Sequence, residues 1–301
     1  MAEGSDIQQF ASFDTEAKLL IEGGETAKRL PSATSRWFAQ TSRELNTLIA
    51  KAEELSPGDN KEFYSTITDL KILSNLALYH SFRIPAAVSY RIYKRTNDPH
   101  ALDDAIGYEK QAIEAWKKIV EAAGDVYAPD LKFGVHESFY MGIDHHLSGH
   151  WKDELGYLET GLEKLQSERS TFGKIDGPGT APVYKAETVN PEDLFRIQHE
   201  AIRSAPVNHD IPIKARIKAT DGIKWVRLRY RSVNQHLDYK TLPMKAEESS
   251  DVYSVDVPAD QIDPEFDFMY FIEVMDNDNH GIIYPDLDKE TPYIVTVLQR
   301  E

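Results

Sequence analysis

The spacing of apolar residues predicts helices through the first half of the chain. Apolar positions recur at intervals of three and four, and turn residues at 56–59 and 98–99 separate the runs. One more amphipathic run begins at Trp151 and continues to Leu165. Pro85 is expected to end or kink the third helix, because it has no backbone N–H to donate. We therefore expect an antiparallel bundle with helices at residues 14–30, 32–55, 60–82, 86–95, 99–123 and 151–165.

The period of the pattern changes to two in the second half of the chain. A Gly- and Pro-rich segment lies at residues 173–182, and a short helix is predicted at 191–202. Short runs that alternate apolar and polar residues follow, and the strongest row is Phe266, Phe268, Tyr270, Ile272 and Val274. Such runs, separated by turns, are typical of an antiparallel β-sandwich. We expect an α+β multidomain protein with a helical bundle at 6–172, a linker with a short helix at 173–198 and an all-β sandwich at 199–301.

Charge and composition exclude several classes of partner and site. The formal net charge is −16 over 301 residues, and no run of lysine or arginine offsets it, so nucleic acid and anionic membranes are poor partners. The chain has no cysteine, which excludes disulfides, thiolate zinc sites and cysteine nucleophiles. No apolar run approaches the roughly 20 residues of a membrane span, and no hydrophobic signal core opens the chain. Residues 1–5 resemble a cloning remnant, so we expect the natural chain to begin earlier.

Six segments of the second half form a distinctive set. They are ATDGI at 219–223, VRLRYR at 226–231, YKTLPM at 239–244, YSVDVPA at 253–259, MYFIEVMD at 269–276 and TPY at 291–293. Together they resemble the fibronectin type III or E-set-like immunoglobulin sandwiches of bacterial extracellular proteins. The resemblance implies an immunoglobulin-like sandwich over residues 207–298, and it implies little about function.

A second set of segments lies in the first half. It contains NDP at 97–99, WKKI at 116–119, Tyr127 and GHWKDEL at 149–155. These segments resemble the helical region that follows the catalytic barrel in some large bacterial glycoside hydrolases. The resemblance implies an accessory region of an exported protein, secreted, periplasmic or at the cell surface, with polysaccharide as a partner and a catalytic domain upstream. The chain lacks the alternating strands and helices of a barrel, so the family's catalytic residues have no counterpart in it.

The stretch at residues 133–151 is a candidate carbohydrate-binding surface. Aromatic rings would stack on sugar faces, and acidic and histidine side chains would bind hydroxyls, so the candidate residues are Phe139, Tyr140, Trp151, Asp144, His146 and His150. The alternative for Trp151 is a place in the bundle core, because it begins the apolar face of its helix. The alternative for the histidines is helix capping and hydrogen bonding within a packed loop.

Two places in the sequence have residues of the kind that bind metals. His146 and His150 would share one face of a helix at i and i+4, but Ser148-Gly149 between them looks like a helix start and no HExxH motif is present. Asp276 and Asp278 are weak metal candidates, because residues 276–281 begin like a calcium loop. Leu287 stands where such a loop carries its glutamate, so a β-turn is the preferred interpretation and no metal site is predicted.

No catalytic signature appears in the sequence. It contains no GxSxG, no P-loop and no GxGxxG followed by a suitable acid. We therefore expect a non-catalytic accessory region of an exported bacterial carbohydrate-processing protein, which acts as an interdomain scaffold, binds polysaccharide and uses no cofactor. Two alternatives stay open. One is a stand-alone enzyme or metal-binding protein with its site at 133–151, and the other is a purely structural protein-interaction module.

Overall fold

The chain divides into two compact units. The computed structural model describes residues 8–55, 60–132, 148–174, 177–185, 190–234, 236–248, 250–286, 289 and 291–300. One unit, the β unit, is built from Met1–Ser12, Glu22–Leu30 and Glu187–Glu301, and the other, the helical unit, from Phe13–Ile21 and Pro31–Ala186. The predicted α+β class is confirmed. Among the described residues, no helix combines the length and apolar character that crossing a membrane requires.

The helical unit contains the first five helices in chain order. They are α1 (Phe13–Glu22), α2 (Pro31–Glu54), α3 (Lys61–Thr96), α4 (Pro99–Ala123) and α5 (Trp151–Ser170), and a two-stranded ladder of β1 (Leu131–Lys132) and β2 (Ser148–Gly149) precedes α5. From α2 to α5, each helix packs on the next one along the chain. The first predicted helix was too long, since α1 ends where Gly23 and Gly24 adopt φ angles of 76° and 123°.

The long helix α3 continues through Pro85 instead of ending there. A proline at this position removes the N–H that would bond the carbonyl four residues earlier, which belongs to Ser81. The hydroxyl of Ser35 on α2 donates to that carbonyl at 2.8 Å, at a buried position. The neighbouring helix therefore replaces the bond that proline removes. The predicted end of the helix at Pro85 was wrong for this reason, and the alternative of a kink stays a prediction.

Asp98 begins α4 and also fixes part of the Gly- and Pro-rich segment to the helical unit. Its Oδ1 accepts the backbone N–H of His100 at 2.9 Å, as a helix cap followed by Pro99 should. Its Oδ2 accepts the backbone N–H groups of Thr180 and Ala181 at 2.6 and 2.7 Å. Burial opposes the charged carboxylate, but these hydrogen bonds outweigh it and hold the pKa of Asp98 far below its ordinary value.

The β unit is a curled, mixed sheet. After the short helix α6 (Pro191–Leu194), its strands are β3 (Phe195–Gln198), β4 (Ser204–Pro206), β5 (Ile211–Ala219), β6 (Ile223–Ser232), β7 (Lys240–Ala246), β8 (Val252–Val257), β9 (Phe268–Asp276), β10 (Gly281–Tyr284) and β11 (Ile294–Gln299). The order across the sheet is β3-β5-β8-β7-β6-β9-β11-β4, with β10 also paired to β9. Only the pairing of β11 with β4 is parallel among these described strands. Most residues of the predicted alternating rows lie in or against one core inside the curl, where Tyr230 and Tyr270 are almost fully buried, but Phe266 precedes β9 and is exposed.

The central strand β9 is buried on both faces. Its even-numbered residues from Phe268 to Val274 join the core inside the curl. Its odd-numbered apolar residues Met269, Phe271 and Met275 form a second cluster on the opposite face. Between them, Glu273 is buried beside Arg229 at 3.3 Å, and burial raises the pKa of Glu273. A sandwich strand with one solvated face would not show this continuous burial.

The second face of β9 is covered by the start of the chain. Ala27 is buried in the cluster on that face. Glu25 accepts hydrogen bonds from the Lys224 ammonium at 2.5 Å and the Trp225 indole N–H at 2.8 Å. At Gly281, an added Cβ would lie 2.5 Å from the Ala27 Cα, so the covering segment and β10 pack backbone to backbone. Residues 22–30 thus complete the β unit.

Candidate functional site

Most of the predicted carbohydrate surface lies outside the described residues. Phe139, Tyr140, Asp144 and His146 belong to residues 133–147, which the structure does not describe. Their assignment stays a prediction. The described ends of this stretch pair as β1 and β2, which places residue 132 next to residue 148.

His150 is placed as the N-cap of α5. Its Nδ1 accepts the backbone N–H of Lys152 at 3.2 Å, and its own N–H donates to the Asp153 carboxylate at 2.8 Å, which completes a capping box. Trp151 follows at the first helical position. Its carbonyl accepts the Trp116 indole N–H at 2.9 Å, and its ring packs on the edge of a buried cluster around Ile119. The two residues thus have structural contacts whether or not the neighbouring stretch binds a sugar.

Asp276 and Asp278 lie at the hairpin between β9 and β10. The Oδ1 of Asp276 accepts the backbone N–H groups of Asp278 at 2.9 Å and of His280 at 2.8 Å. Its Oδ2 lies 3.0 Å from Nδ1 of His280. Asn279 adopts a positive φ of 68°, which asparagine tolerates in turns. This arrangement is a hairpin turn built on the Asp276 carboxylate.

A third group approaches the same hairpin from the turn before β6. Ligand atoms of Asp221, Asp276 and His280 all lie within 4.8 Å of one another. Two carboxylates and an imidazole are donors that several divalent metals accept. Asp276 is fully buried and already accepts hydrogen bonds at both oxygens, so a metal would have to replace its contact with His280. The cluster can stabilise the two turns without a metal.

An open cavity of about 450 Å³ lies at the other end of β6, between the start of β7 and residues 260–264. Three carboxylates line it, from Asp238, Asp260 and Asp263. Arg231 and Lys240 also line it, and Leu237, Ile262 and Pro264 contribute apolar surface. A cavity of this size, with both polar and apolar groups in its lining, falls within the range of small-molecule sites.

Each of the two cations of the cavity donates to a protein acceptor. Arg231 Nη1 donates to the carbonyl of Leu237 at 2.8 Å, and the guanidinium lies 4.5 Å from the ring centre of Tyr239. Lys240 Nζ donates to the carbonyl of Gln261 at 3.1 Å. None of the three carboxylates forms an ion pair with a described residue. The cavity therefore presents carboxylates without a described counter-ion to anything that enters it.

Comparisons with known proteins identify no family for this chain. No protein-family model matches the chain, and no curated protein matches it. One solved structure that it resembles is a GH138 enzyme targeting pectin rhamnogalacturonan II, at a TM-score of 0.44 and 12% identity. The match covers 83% of this chain and 35% of the enzyme chain, so this chain spans about a third of that enzyme. This degree of likeness shows neither a family nor an activity.

A half-buried histidine and a buried tyrosine form a separate polar pair in the β unit. His199 Nδ1 lies 2.6 Å from the carbonyl of Lys214, which can only accept, so this nitrogen carries the proton. Its Nε2 therefore accepts the hydroxyl of Tyr270 at 2.8 Å, and that oxygen accepts the N–H of Ile202 at 3.3 Å. Burial lowers the pKa of His199 and raises that of Tyr270 to about 12. Both groups are neutral and satisfied, which suits a structural pair.

The cavity was not predicted from the sequence, and neither was the fact that Asp221 joins the cluster of Asp276 and His280. The cavity residues come from two turns about 25 positions apart, which the sheet brings together through the pairing of β7 with β6 and β8. The signal in the sequence is weak, because Asp238 and the acids at 260 and 263 resemble ordinary turn residues.

Proposed function

We propose that the chain is a non-catalytic accessory region of an exported bacterial carbohydrate-processing protein, and that its β unit binds polysaccharide in the cavity. The observation that carries this proposal is the lining of the cavity. Carboxylates such as Asp260 accept hydrogen bonds from sugar hydroxyls, and the apolar side chains of Leu237 and Ile262 suit the C–H face of a sugar ring. The catalytic domain that such a region would serve lies upstream in this proposal.

The scaffold role is supported by how the chain is shared between the two units. It leaves the β unit after Ser12, returns at Glu22, leaves again after Leu30 and returns at Glu187. Four covalent connections therefore join the units, and a flexible spacer would need only one. We propose that this interleaving serves to keep an upstream domain and the sugar-binding unit together.

The finer fold of the β unit belongs to the same proposal. β5 pairs with β3 and β8, while β9 pairs with β6 and β11, and β7 joins the two groups. One apolar core lies between these groups. This pairing supports an immunoglobulin or fibronectin III-like sandwich, with the start of the chain added over its outer face.

Affinity gel electrophoresis on the whole chain tests the proposal. Gels that contain soluble neutral, acidic or amino polysaccharides are expected to retard the wild-type protein in at least one case. Asp238→Asn combined with Asp260→Asn should weaken that binding at least tenfold, because both carboxylate acceptors lose their charge. Asp256→Asn is the matched control, an exposed β8 carboxylate outside the cavity, and it should bind as wild type does.

Two further variants separate the cavity from the loop. Tyr140→Ala and Trp151→Ala test the surface predicted at 133–151, and circular dichroism checks that each variant folds. Binding that is lost in folded Tyr140→Ala, while the cavity variants bind normally, would move the site to the loop. Absence of retardation in every gel would overturn the binding proposal.

A further inference from the structure

The charges in the cavity of the β unit select among classes of sugar. The cavity holds three carboxylates and two cations, and the cations already donate to backbone carbonyls at 2.8 and 3.1 Å. The carboxylates of Asp238 and Asp260 line the same space with no described ion-pair partner. The three carboxylates are thus available as acceptors to a ligand, while each cation already gives part of its N–H donors to the protein.

We infer that the cavity recognises a sugar with a protonated amine, such as an oligomer of glucosamine. This inference rests on the proposed polysaccharide-binding function. An ammonium group carries three N–H donors and a positive charge, so it can bond two or three carboxylate oxygens at once. A uronic acid would instead bring a fourth carboxylate close to Asp238, Asp260 and Asp263, and the two cations of the cavity offset only part of the repulsion among these like charges.

The accessible positions of the carboxylates fit this class of ligand. Asp260 and Asp238 are exposed at the cavity rim, where they meet a ligand without deep burial of charge. Asp263 is half-buried, and one of its oxygens accepts the N–H of Glu265 at 2.9 Å, so its carboxylate is held in place. The net charge of −16 adds a long-range attraction that raises the local concentration of cationic sugars at low salt.

A matched set of tetrasaccharides tests the inference by isothermal titration calorimetry. Cellotetraose, its N-acetylated amino analogue and its free amino analogue share one β-1,4 backbone and differ at carbon 2 in hydroxyl, acetamide or ammonium. At low salt, we expect the ammonium form to bind at least tenfold more tightly than the other two. An oligogalacturonate should bind most weakly.

Variants show whether the preference comes from the cavity. Asp238→Asn with Asp260→Asn should reduce the preference for the ammonium form to about threefold or less, whereas Asp256→Asn should leave it unchanged. An unchanged preference in the cavity variant would mean diffuse attraction to an acidic protein, and would overturn the inference. Equal binding of all three tetrasaccharides would also overturn it, yet would leave the proposed function standing. If no oligosaccharide or polysaccharide binds, the proposed function itself fails.

Discussion

Replacing Ser35 by alanine tests how α3 continues through Pro85. The Ser35 hydroxyl donates to the Ser81 carbonyl, which has lost its helical N–H partner to the proline. A buried carbonyl left without a donor costs about 1–3 kcal/mol. For a unit of this size, each kcal/mol lowers the melting temperature by roughly 2–4 °C. We therefore expect Ser35→Ala to lower the unfolding temperature of the helices by about 2–12 °C.

A double-mutant cycle isolates this cause. In a Pro85→Ala background, the new N–H at position 85 can donate to the Ser81 carbonyl, so Ser35→Ala should then cost less than about 0.5 kcal/mol. The coupling energy between positions 35 and 85 should be about 1–2 kcal/mol. The unfolding free energies of all four proteins are measured by thermal and urea unfolding, followed by far-ultraviolet circular dichroism.

Ser42→Ala is the matched control on the same helix. Ser42 is as buried as Ser35, but its hydroxyl only lies 3.4 Å from that of Ser74. The Ser74 hydroxyl donates to the backbone carbonyl of Ser42 at 3.1 Å, and that bond survives the change to alanine. Ser42→Ala should therefore cost little and show no coupling to position 85. If Ser35→Ala lowered the unfolding free energy equally in the wild-type and the Pro85→Ala backgrounds, the Ser35 hydroxyl would not be replacing the bond that proline removes.

Two further changes probe the anchor of the linker and the cover of β9. Asp98→Ala should destabilise the helical unit by at least about 3 kcal/mol, whereas Asp103→Ala, which removes an exposed ion pair, should cost about 1 kcal/mol or less. The charged carboxylate of Asp98 stabilises the folded state fully above its unfolded-state pKa of about 4, and this stabilisation is lost as the pH falls further. The difference in unfolding free energy between the wild type and Asp98→Ala should therefore become smaller in acid. A difference that stays constant down to about pH 2 would contradict this explanation. Gly281→Ala should lower the unfolding free energy of the β unit by about 2 kcal/mol or more, measured by thermal unfolding, because the new Cβ meets Ala27. Gly107→Ala, in open space on α4, is the control and should be neutral or stabilising. If both changes had the same effect on stability, the backbone packing of Gly281 on Ala27 would be refuted.

Local patterns in the sequence were sufficient to predict most of the helices and strands. The Asp98-Pro99 pair gave the start of α4, because a cap and a proline act within one turn. The alternating row from Phe268 to Val274 gave the inner face of β9 for a similar reason. His150 was harder, because histidine is an uncommon N-cap and the pattern placed the start of α5 at Ser148-Gly149.

Features that depend on distant partners could not be predicted in the same way. The bond that carries α3 past Pro85 comes from a residue 46 positions away. The second buried face of β9 depends on Glu25 and Ala27, which lie about 200–250 positions from the residues they contact. The cavity, likewise, exists only once β6, β7 and β8 are paired. The periodicity of apolar residues along the chain does not predict such contacts, because they arise from the tertiary arrangement.

The cover of β9 by the first residues of the chain has a consequence for biosynthesis. The bond from Gln9 to the carbonyl of Pro292 spans 283 residues, and that from Trp225 to Glu25 spans 200. At a translation rate of about 5–20 residues per second, the covering segment waits roughly 10–60 s for its sheet to emerge from the ribosome. The helical unit, whose helices pack on their neighbours in sequence, can fold during that interval. The β unit is then the last part to mature, and until residues 22–30 dock, Met269, Phe271 and Met275 offer chaperones an apolar surface to hold.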